Sequence, residues 1–141
     1  MDSNDAVETT VRVRYAETDA MGIVYHTNYI VWFEVGRGEY LRQQGDNYGE
    51  WEDQGLYLPV TEVDARFMAP ARYDDVVLIR TWVKEVRSRS VTMAYEVVMK
   101  DTNQVLVTGH TKHLCMDHEG QVRRFPRGLF DAFSGGTQNN A

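Results

Sequence analysis

The sequence has one cysteine, no long apolar run and a deficit of basic residues. Because Cys115 is the only cysteine among 141 residues, no intrachain disulfide can form, and we expect a reducing, cytoplasmic environment. No apolar segment approaches the roughly 20 residues that cross a bilayer, and the polar, acidic start of the chain differs from a signal peptide, so we expect no membrane contact. The 21 acidic and 15 basic residues give a formal charge of −6, which argues against nucleic acid as a partner.

Motifs of several enzyme classes are missing as well. There is no Gly-x-Ser-x-Gly elbow, which excludes the serine-hydrolase route, and no glycine-rich phosphate loop. His110 and His113 fall in one predicted strand at opposite parity, so they point to opposite faces and cannot form one site within a chain. No metal-ligand spacing is found, and Cys115 is interpreted as a small buried apolar residue. We therefore expect neither a metal nor a cofactor.

Hydrophobic patterning predicts one domain over residues 1–141, with an ordered core of about residues 9–133. Alternating apolar residues predict a half-buried strand over Thr9–Tyr15, whereas a helical stripe predicts one long helix over about residues 26–44. Four more strands are predicted at Pro59–Phe67, Val76–Val86, Val91–Met99 and Leu106–Met116. A short terminal helix is predicted to follow Phe125-Pro126.

This order of elements predicts an α+β fold. Turn-like connections at Arg87-Ser88-Arg89 and Asp101-Thr102-Asn103 predict that the last three strands form an antiparallel meander. The long helix carries apolar residues on so many sides that other structure must cover it, and the simplest cover is a curved antiparallel five-stranded sheet wrapped around it. Such a sheet leaves exposed edges, so we expect a homodimer that continues the sheet.

The loop before the helix holds the clearest chemical signal. Asp19 lies seven residues before His26, with a glycine turn at Gly22 between them. This spacing can hold a carboxylate beside the helix N-terminus, where free N–H groups would polarise a carbonyl oxygen. A carboxylate at a carbonyl carbon and donors at its oxygen are two parts of acyl transfer. The alternative, a turn aspartate that bonds nearby amides, is the commoner use of a loop aspartate.

The same loop resembles the signature of the hotdog-fold thioesterases of the 4-hydroxybenzoyl-CoA thioesterase type. The resembling segment is YAETDAMGIVYHTNY, residues 15–29, and the match continues through Phe33-Glu34, Tyr40-Leu41-Arg42 and Pro59–Asp75. The resemblance covers roughly residues 9–118. The fold of that family, a sheet around a helix, agrees with the layout predicted above. It implies hydrolysis of an acyl-CoA thioester to a free acid and coenzyme A, with no metal or redox cofactor. It also implies an active site at a dimer interface, with dimers pairing into a homotetramer.

Residue by residue, the resemblance implies that Asp19 is the catalytic carboxylate, acting either as nucleophile or as general base. The backbone N–H of His26 is the implied donor to the thioester oxygen, and its imidazole is expected to help place substrate or to pack. Glu17 is expected to be structural. Arg37 falls near an arginine used by a branch that acts on carrier-bound polyketide chains. That branch lacks the loop aspartate, so Arg37 has little weight as a catalyst.

Five residues are expected to contact the substrate. Gly22, Tyr25 and Tyr29 lie closest to the reactive end of the helix. Arg87 and Arg89 lie in a turn at a strand end and are expected to contact the phosphates of coenzyme A, which is part of the substrate, because arginine forks bind phosphates well.

Three alternatives stay open. A thioesterase for chains on an acyl-carrier protein would use the basic surface near Arg87 and Arg89 to dock a protein. A non-catalytic module that binds acyl thioesters would not need Asp19 at the carbonyl. A hydratase would need the His26 side chain as its base.

Overall fold

A computed structural model of the protein describes residues 5–43 and 53–135. Its main strands are β1 (Val7–Arg12), β3 (Val60–Phe67), β4 (Val76–Val86), β5 (Ser90–Met99) and β6 (Val105–Leu114). The other elements are α1 (Thr27–Arg42), α2 (Arg127–Ser134) and a two-stranded ribbon of β2 (Leu56–Tyr57) and β7 (Met116–Asp117). The main strands form one antiparallel sheet in the order β1-β4-β5-β6-β3. The predicted α+β class, its five-stranded antiparallel sheet and the β4-β5-β6 meander are confirmed.

The first strand ends earlier than its alternation predicted. β1 stops at Arg12, and Tyr15–Glu17 forms a 3₁₀ turn. The Arg14 N–H donates to the Glu17 carboxylate at 2.8 Å instead of to a neighbouring strand, so the chain turns away from the sheet. Tyr15 is consequently 76% exposed. The prediction of a strand through Tyr15 is wrong because a nearby side chain takes the backbone donor.

The last strand is also shorter than predicted. β6 ends at Leu114, where its pairing with both neighbouring strands stops; the Cys115 N–H then donates to the Arg89 carbonyl just before β5, at 2.9 Å. Met116 instead belongs to the ribbon of β7 with β2. That ribbon was not predicted, since two residues are too few to show alternation. The predicted helix end at Gln44 lies outside the described residues.

Helix α1 packs on one face of the sheet. The Phe33 ring stacks on the Tyr95 ring of β5, with centroids 4.4 Å apart. Gly36 lies where α1 crosses β4, against Thr81 and Ile79. The buried residues of α1 are Tyr29, Trp32, Phe33, Gly36, Tyr40 and Leu41. No helix in the described ranges is long and apolar enough to cross a membrane.

One flank of α1 and one edge of the sheet are uncovered. Val31 and Val35 on α1 are 50% and 39% exposed. Strand β3 pairs with β6 alone among the described strands, and its apolar Val63 and Phe67 are 43% and 49% exposed. The expectation that other structure covers the helix on all sides is therefore not met within one described chain, and cover for this flank stays a prediction for the assembled protein.

A chain of hydrogen bonds crosses the core beneath α1. The Arg37 guanidinium donates to the Tyr95 hydroxyl at 3.1 Å, and the Tyr95 and Thr111 hydroxyls are 2.6 Å apart. Thr111 Oγ1 lies 2.7 Å from His113 Nε2, while His113 Nδ1 lies 3.2 Å from the Leu58 carbonyl oxygen. Since a carbonyl only accepts, Nδ1 of His113 carries a proton, and in the neutral ring Nε2 then accepts from the Thr111 hydroxyl.

We predict that His113 destabilises the protein in acid. Burial lowers the pKa of His113 from 6.5 to about 4, and nearby Arg37 adds to this lowering. Below pH 6.5 the unfolded chain therefore binds a proton that the folded chain does not accept until about pH 4. As the pH falls from 6.5 to about 4, the free energy of unfolding should decrease by about 3 kcal/mol. Above pH 6.5, His113 should not contribute to the pH dependence of stability.

Urea unfolding between pH 8 and pH 4 measures this loss. His113→Gln, whose amide can still donate to Leu58, should flatten the curve between pH 6.5 and 4. The control is His110→Gln, because His110 lies on the opposite sheet face beside Glu62 and Asp64, and it should retain the fall due to His113. Parallel curves for the wild type and His113→Gln would contradict the prediction.

Candidate active site

A small hairpin lies between the 3₁₀ turn and α1. Thr18 pairs with Val24, and the Asp19 N–H donates to the Ile23 carbonyl at 2.9 Å. Gly22 closes the hairpin at φ 81°, a left-handed conformation that glycine adopts without strain, and open space surrounds it. The hairpin folds the Asp19 segment back along the residues that lead into α1.

The Asp19 carboxylate is half-buried in this hairpin. Its Oδ1 accepts the Met21 N–H at 2.8 Å, so the side chain makes the turn contact that was the alternative to catalysis. Among the described residues, no donor binds Oδ2. One oxygen thus orients the carboxylate while the other is available to a reacting group.

Helix α1 starts with an unpartnered amide. His26 is the N-cap residue, and no side chain caps the helix. Within the described chain, no acceptor takes the His26 N–H, which lies at the positive end of the helix dipole. The exposed imidazole packs against other rings, with centroid distances of 4.5 Å to Tyr25 and 6.1 Å to Phe67.

An apolar cleft of about 260 Å³ opens beside the helix start. Its lining residues are Ile23, Val24, His26, Tyr29, Phe67, Met68, Ala69 and Pro70. Asp19 does not line the cleft, but its backbone is hydrogen-bonded to Ile23, which does. The cleft can therefore hold an apolar group with a reactive end near the hairpin and the His26 amide.

The two predicted tyrosines play different parts. Tyr29 is buried, its hydroxyl accepts the Ala71 N–H at 3.1 Å, and burial raises its pKa, so it stays a neutral wall of the cleft. Tyr25 is 47% exposed and lies outside the cleft lining, against the His26 ring. The hairpin and helix start thus bring together Asp19, Gly22, Tyr25, His26 and Tyr29.

Glu17 anchors the hairpin from below. Its carboxylate is 5% exposed and accepts the Arg14 N–H at 2.8 Å and the Trp32 indole N–H at 3.0 Å. Burial raises the pKa of Glu17, but these hydrogen bonds and the Arg14 guanidinium outweigh burial, so the pKa lies below its ordinary value. The carboxylate is therefore a charged, buried structural group, as the sequence had suggested.

Arg87 and Arg89 lie far from this site within one chain. They follow the end of β4, whereas Val76 at its start lies at the same end of the sheet as the hairpin. Ten residues of strand separate the two ends by about 33 Å. Arg87 also pairs with Glu85 at 3.2 Å, and both side chains are exposed. One chain does not bring these arginines to Asp19.

The sequence did not single out the far wall of the cleft. Phe67 ends β3, and the N–H groups of Met68 and Ala69 both donate to the Leu106 carbonyl, which bends the chain over the helix start. The available signal was a large aromatic residue on an edge strand, followed by an apolar turn at Met68-Ala69-Pro70.

Comparison with known proteins assigns the family. Residues 13–133 match the thioesterase-like superfamily, so the chain belongs to that superfamily. It is 34% identical over 128 residues to the acyl-CoA thioesterase YbgC of Haemophilus influenzae, covering 87% of this chain and 90% of that protein. It is 31% identical over 119 residues to the acyl-CoA thioester hydrolase YbgC of Escherichia coli, covering 84% and 86%.

A solved structure agrees with the family assignment. The DHNA-CoA thioesterase of Staphylococcus aureus superposes with a TM-score of 0.82 at 30% identity, covering 96% of this chain and 91% of that one. The resemblance to hotdog-fold thioesterases and the expectation of a thioester hydrolase are confirmed at the level of the family.

Proposed function

We propose that this protein hydrolyses acyl-CoA thioesters to a free acid and coenzyme A, with Asp19 and the His26 N–H acting at the thioester carbonyl. The proposal is carried by one observation: a half-buried carboxylate with an unpartnered oxygen and an unpartnered helix-start amide lie on one short segment, and that segment also forms one wall of an apolar cleft. The acyl-CoA thioesterase relatives support the substrate class.

The proposed reaction uses a different group at each end of the carbonyl bond. The His26 N–H donates to the carbonyl oxygen and stabilises the negative charge that develops there. Asp19 Oδ2 either attacks the carbonyl carbon or removes a proton from an attacking water. In the first route the thiolate leaves, and water then hydrolyses the mixed anhydride. In the second, the water oxygen bonds to carbon directly as the thiolate leaves. Neither route needs a metal or a redox cofactor.

The cleft favours a compact acyl group. Its volume lies just below the 300–1,000 Å³ typical of ligand pockets, and the Tyr29 and Phe67 rings form its walls. We therefore propose that a short or aromatic acyl group fits this cleft better than a long chain.

The active protein is proposed to be a cytoplasmic homodimer that pairs into a tetramer. A second copy placed at β3 would pair that free sheet edge and cover the exposed apolar side chains of Val63 and Phe67, with the sheet curving around α1. In such an assembly, Arg87 and Arg89 of one copy would bind the phosphates of a coenzyme A molecule held in the site of another copy.

A hydrolysis panel tests the function. Purified protein is given short, long, branched and aromatic acyl-CoA esters and matched acyl-carrier-protein thioesters, with released thiol as the readout and sedimentation of the same sample as the measure of assembly. We expect faster release from compact acyl-CoA esters, by a dimer or tetramer. Faster release from carrier-protein thioesters would favour the carrier alternative, and no release above the spontaneous rate would exclude a thioesterase.

A further inference from the structure

The Glu17 carbonyl is the point at which the Asp19 hairpin is tied to α1. This one oxygen accepts two hydrogen bonds, from the Tyr25 N–H at 2.8 Å and from the Asn28 side-chain amide at 2.9 Å. Glu17 and Tyr25 are the two ends of the hairpin that carries Asp19, whereas Asn28 lies in the first turn of α1. The Asn28 bond therefore connects the base of the hairpin to the helix.

The Glu17 end of this connection is rigid. Its side chain is buried and bonded to Arg14 and to the Trp32 indole of α1, so Glu17 cannot move without breaking both. The Asn28 N–H also donates to the Tyr25 carbonyl at 2.9 Å. Asn28 thus holds both ends of the hairpin, one through its backbone and the other through its side chain.

We infer that Asn28 is a positioning residue, whose side-chain amide sets the Asp19 carboxylate relative to the His26 N–H. This inference rests on the proposed function. The two reacting groups lie on different sides of the Glu17–Asn28 bond, one on the hairpin and the other at the helix start. Because a displacement of about 1 Å in a catalytic group can cost about 100-fold in rate, loss of this bond should lower kcat while substrate binding in the apolar cleft persists.

The isosteric variant Asn28→Asp gives a pH signature that a purely structural role lacks. Its ionised carboxylate cannot donate to the Glu17 carbonyl, but its protonated form can. A negative charge in the first turn of α1 is favourable for the helix, so the fold should persist. We expect kcat to fall by about 10- to 100-fold at pH 8 with KM changed less than about threefold. Because the ordinary pKa of an aspartate is about 3.9, about a fifth of the variant is protonated at pH 4.5, and the ratio of wild-type to variant kcat should shrink several-fold between pH 8 and pH 4.5.

The charge-matched control is Gln121→Glu, in an exposed turn at the opposite end of the sheet, which should give a ratio near one at every pH. Amide hydrogen exchange gives a readout independent of turnover: residues 18–26 should exchange faster in Asn28→Asp than in the wild type. A wild type that hydrolyses no thioester would overturn the proposed function and this inference together. An active wild type with kcat unchanged in Asn28→Asp, or with a loss that does not vary with pH, would overturn only the positioning role.

Discussion

Replacing Asp19 with asparagine is expected to lower kcat for acyl-CoA hydrolysis by about 10²–10⁴-fold, the usual contribution of a positioned acid or base. Asparagine is neutral and can act neither as nucleophile nor as base at this carbonyl. Its side-chain oxygen can still accept the Met21 N–H, as Asp19 Oδ1 does at 2.8 Å, so the hairpin should keep its shape. The variant should therefore separate chemistry from folding.

Single-turnover release of thiol measures the loss, and thermal unfolding checks the fold. The matched control is Asp101→Asn, which removes the same charge from an exposed turn between β5 and β6 and should stay within about twofold of the wild type. Wild-type turnover in Asp19→Asn would remove this carboxylate from the mechanism. The turn contact to Met21 would then be its whole role.

Gly36→Ala is expected to destabilise the protein by about 2 kcal/mol or more. A Cβ at Gly36 would overlap Thr81 Oγ1 and lie 2.6 Å from Ile79 Cγ2, where both side chains are fully buried on β4. Overpacking of this kind costs about 1–3 kcal/mol and occasionally more, which exceeds the roughly 1 kcal/mol that alanine gains over glycine in a helix. Urea unfolding at neutral pH measures the difference.

Gly38→Ala is the matched control on the same helix. The nearest atom to its added Cβ is the Arg42 guanidinium at 3.6 Å, so alanine should stabilise the protein by up to about 1 kcal/mol. Adding Thr81→Ala to Gly36→Ala should recover part of the loss, because the overlapping Thr81 hydroxyl has no hydrogen-bond partner among the described residues. Equal stabilities for Gly36→Ala and Gly38→Ala would show that the crossing of α1 over β4 is looser than described.

The fold was predictable where local pattern and tertiary packing agree. Strand β4 has the predicted ends, Val76 and Val86, because it is apolar on both faces and lies inside the sheet. The opposite orientations of His110 and His113 also follow from strand parity. Prediction failed at Tyr15, where the Glu17 carboxylate takes a backbone donor from a residue that alternation had assigned to the strand. Such a competition is decided by the buried surroundings of Glu17, which alternation does not encode.

The candidate site also has a part that the sequence predicted and a part that only the fold brings together. Asp19, Gly22 and His26 are neighbours in sequence, and the hairpin that joins them closes over a few residues through local hydrogen bonds. Phe67 is some 40 residues further along, and only the bend at the end of β3 brings it to the helix start. Arg87 and Arg89 have side chains suited to binding phosphate, but their turn lies at the end of the sheet opposite the hairpin, so one chain does not bring them to the site.

By itself, the sequence determined the order of the elements, the loop that carries the carboxylate and the family to which the chain belongs, since these depend on residues close together along the chain. The tertiary structure alone decided which groups share the cleft, which oxygen of Asp19 is left unpartnered and how Asn28 ties the hairpin to α1. Those features depend on how the folded chain places separate segments against one another, as in the bond between the buried Glu17 carboxylate and the buried Trp32 indole.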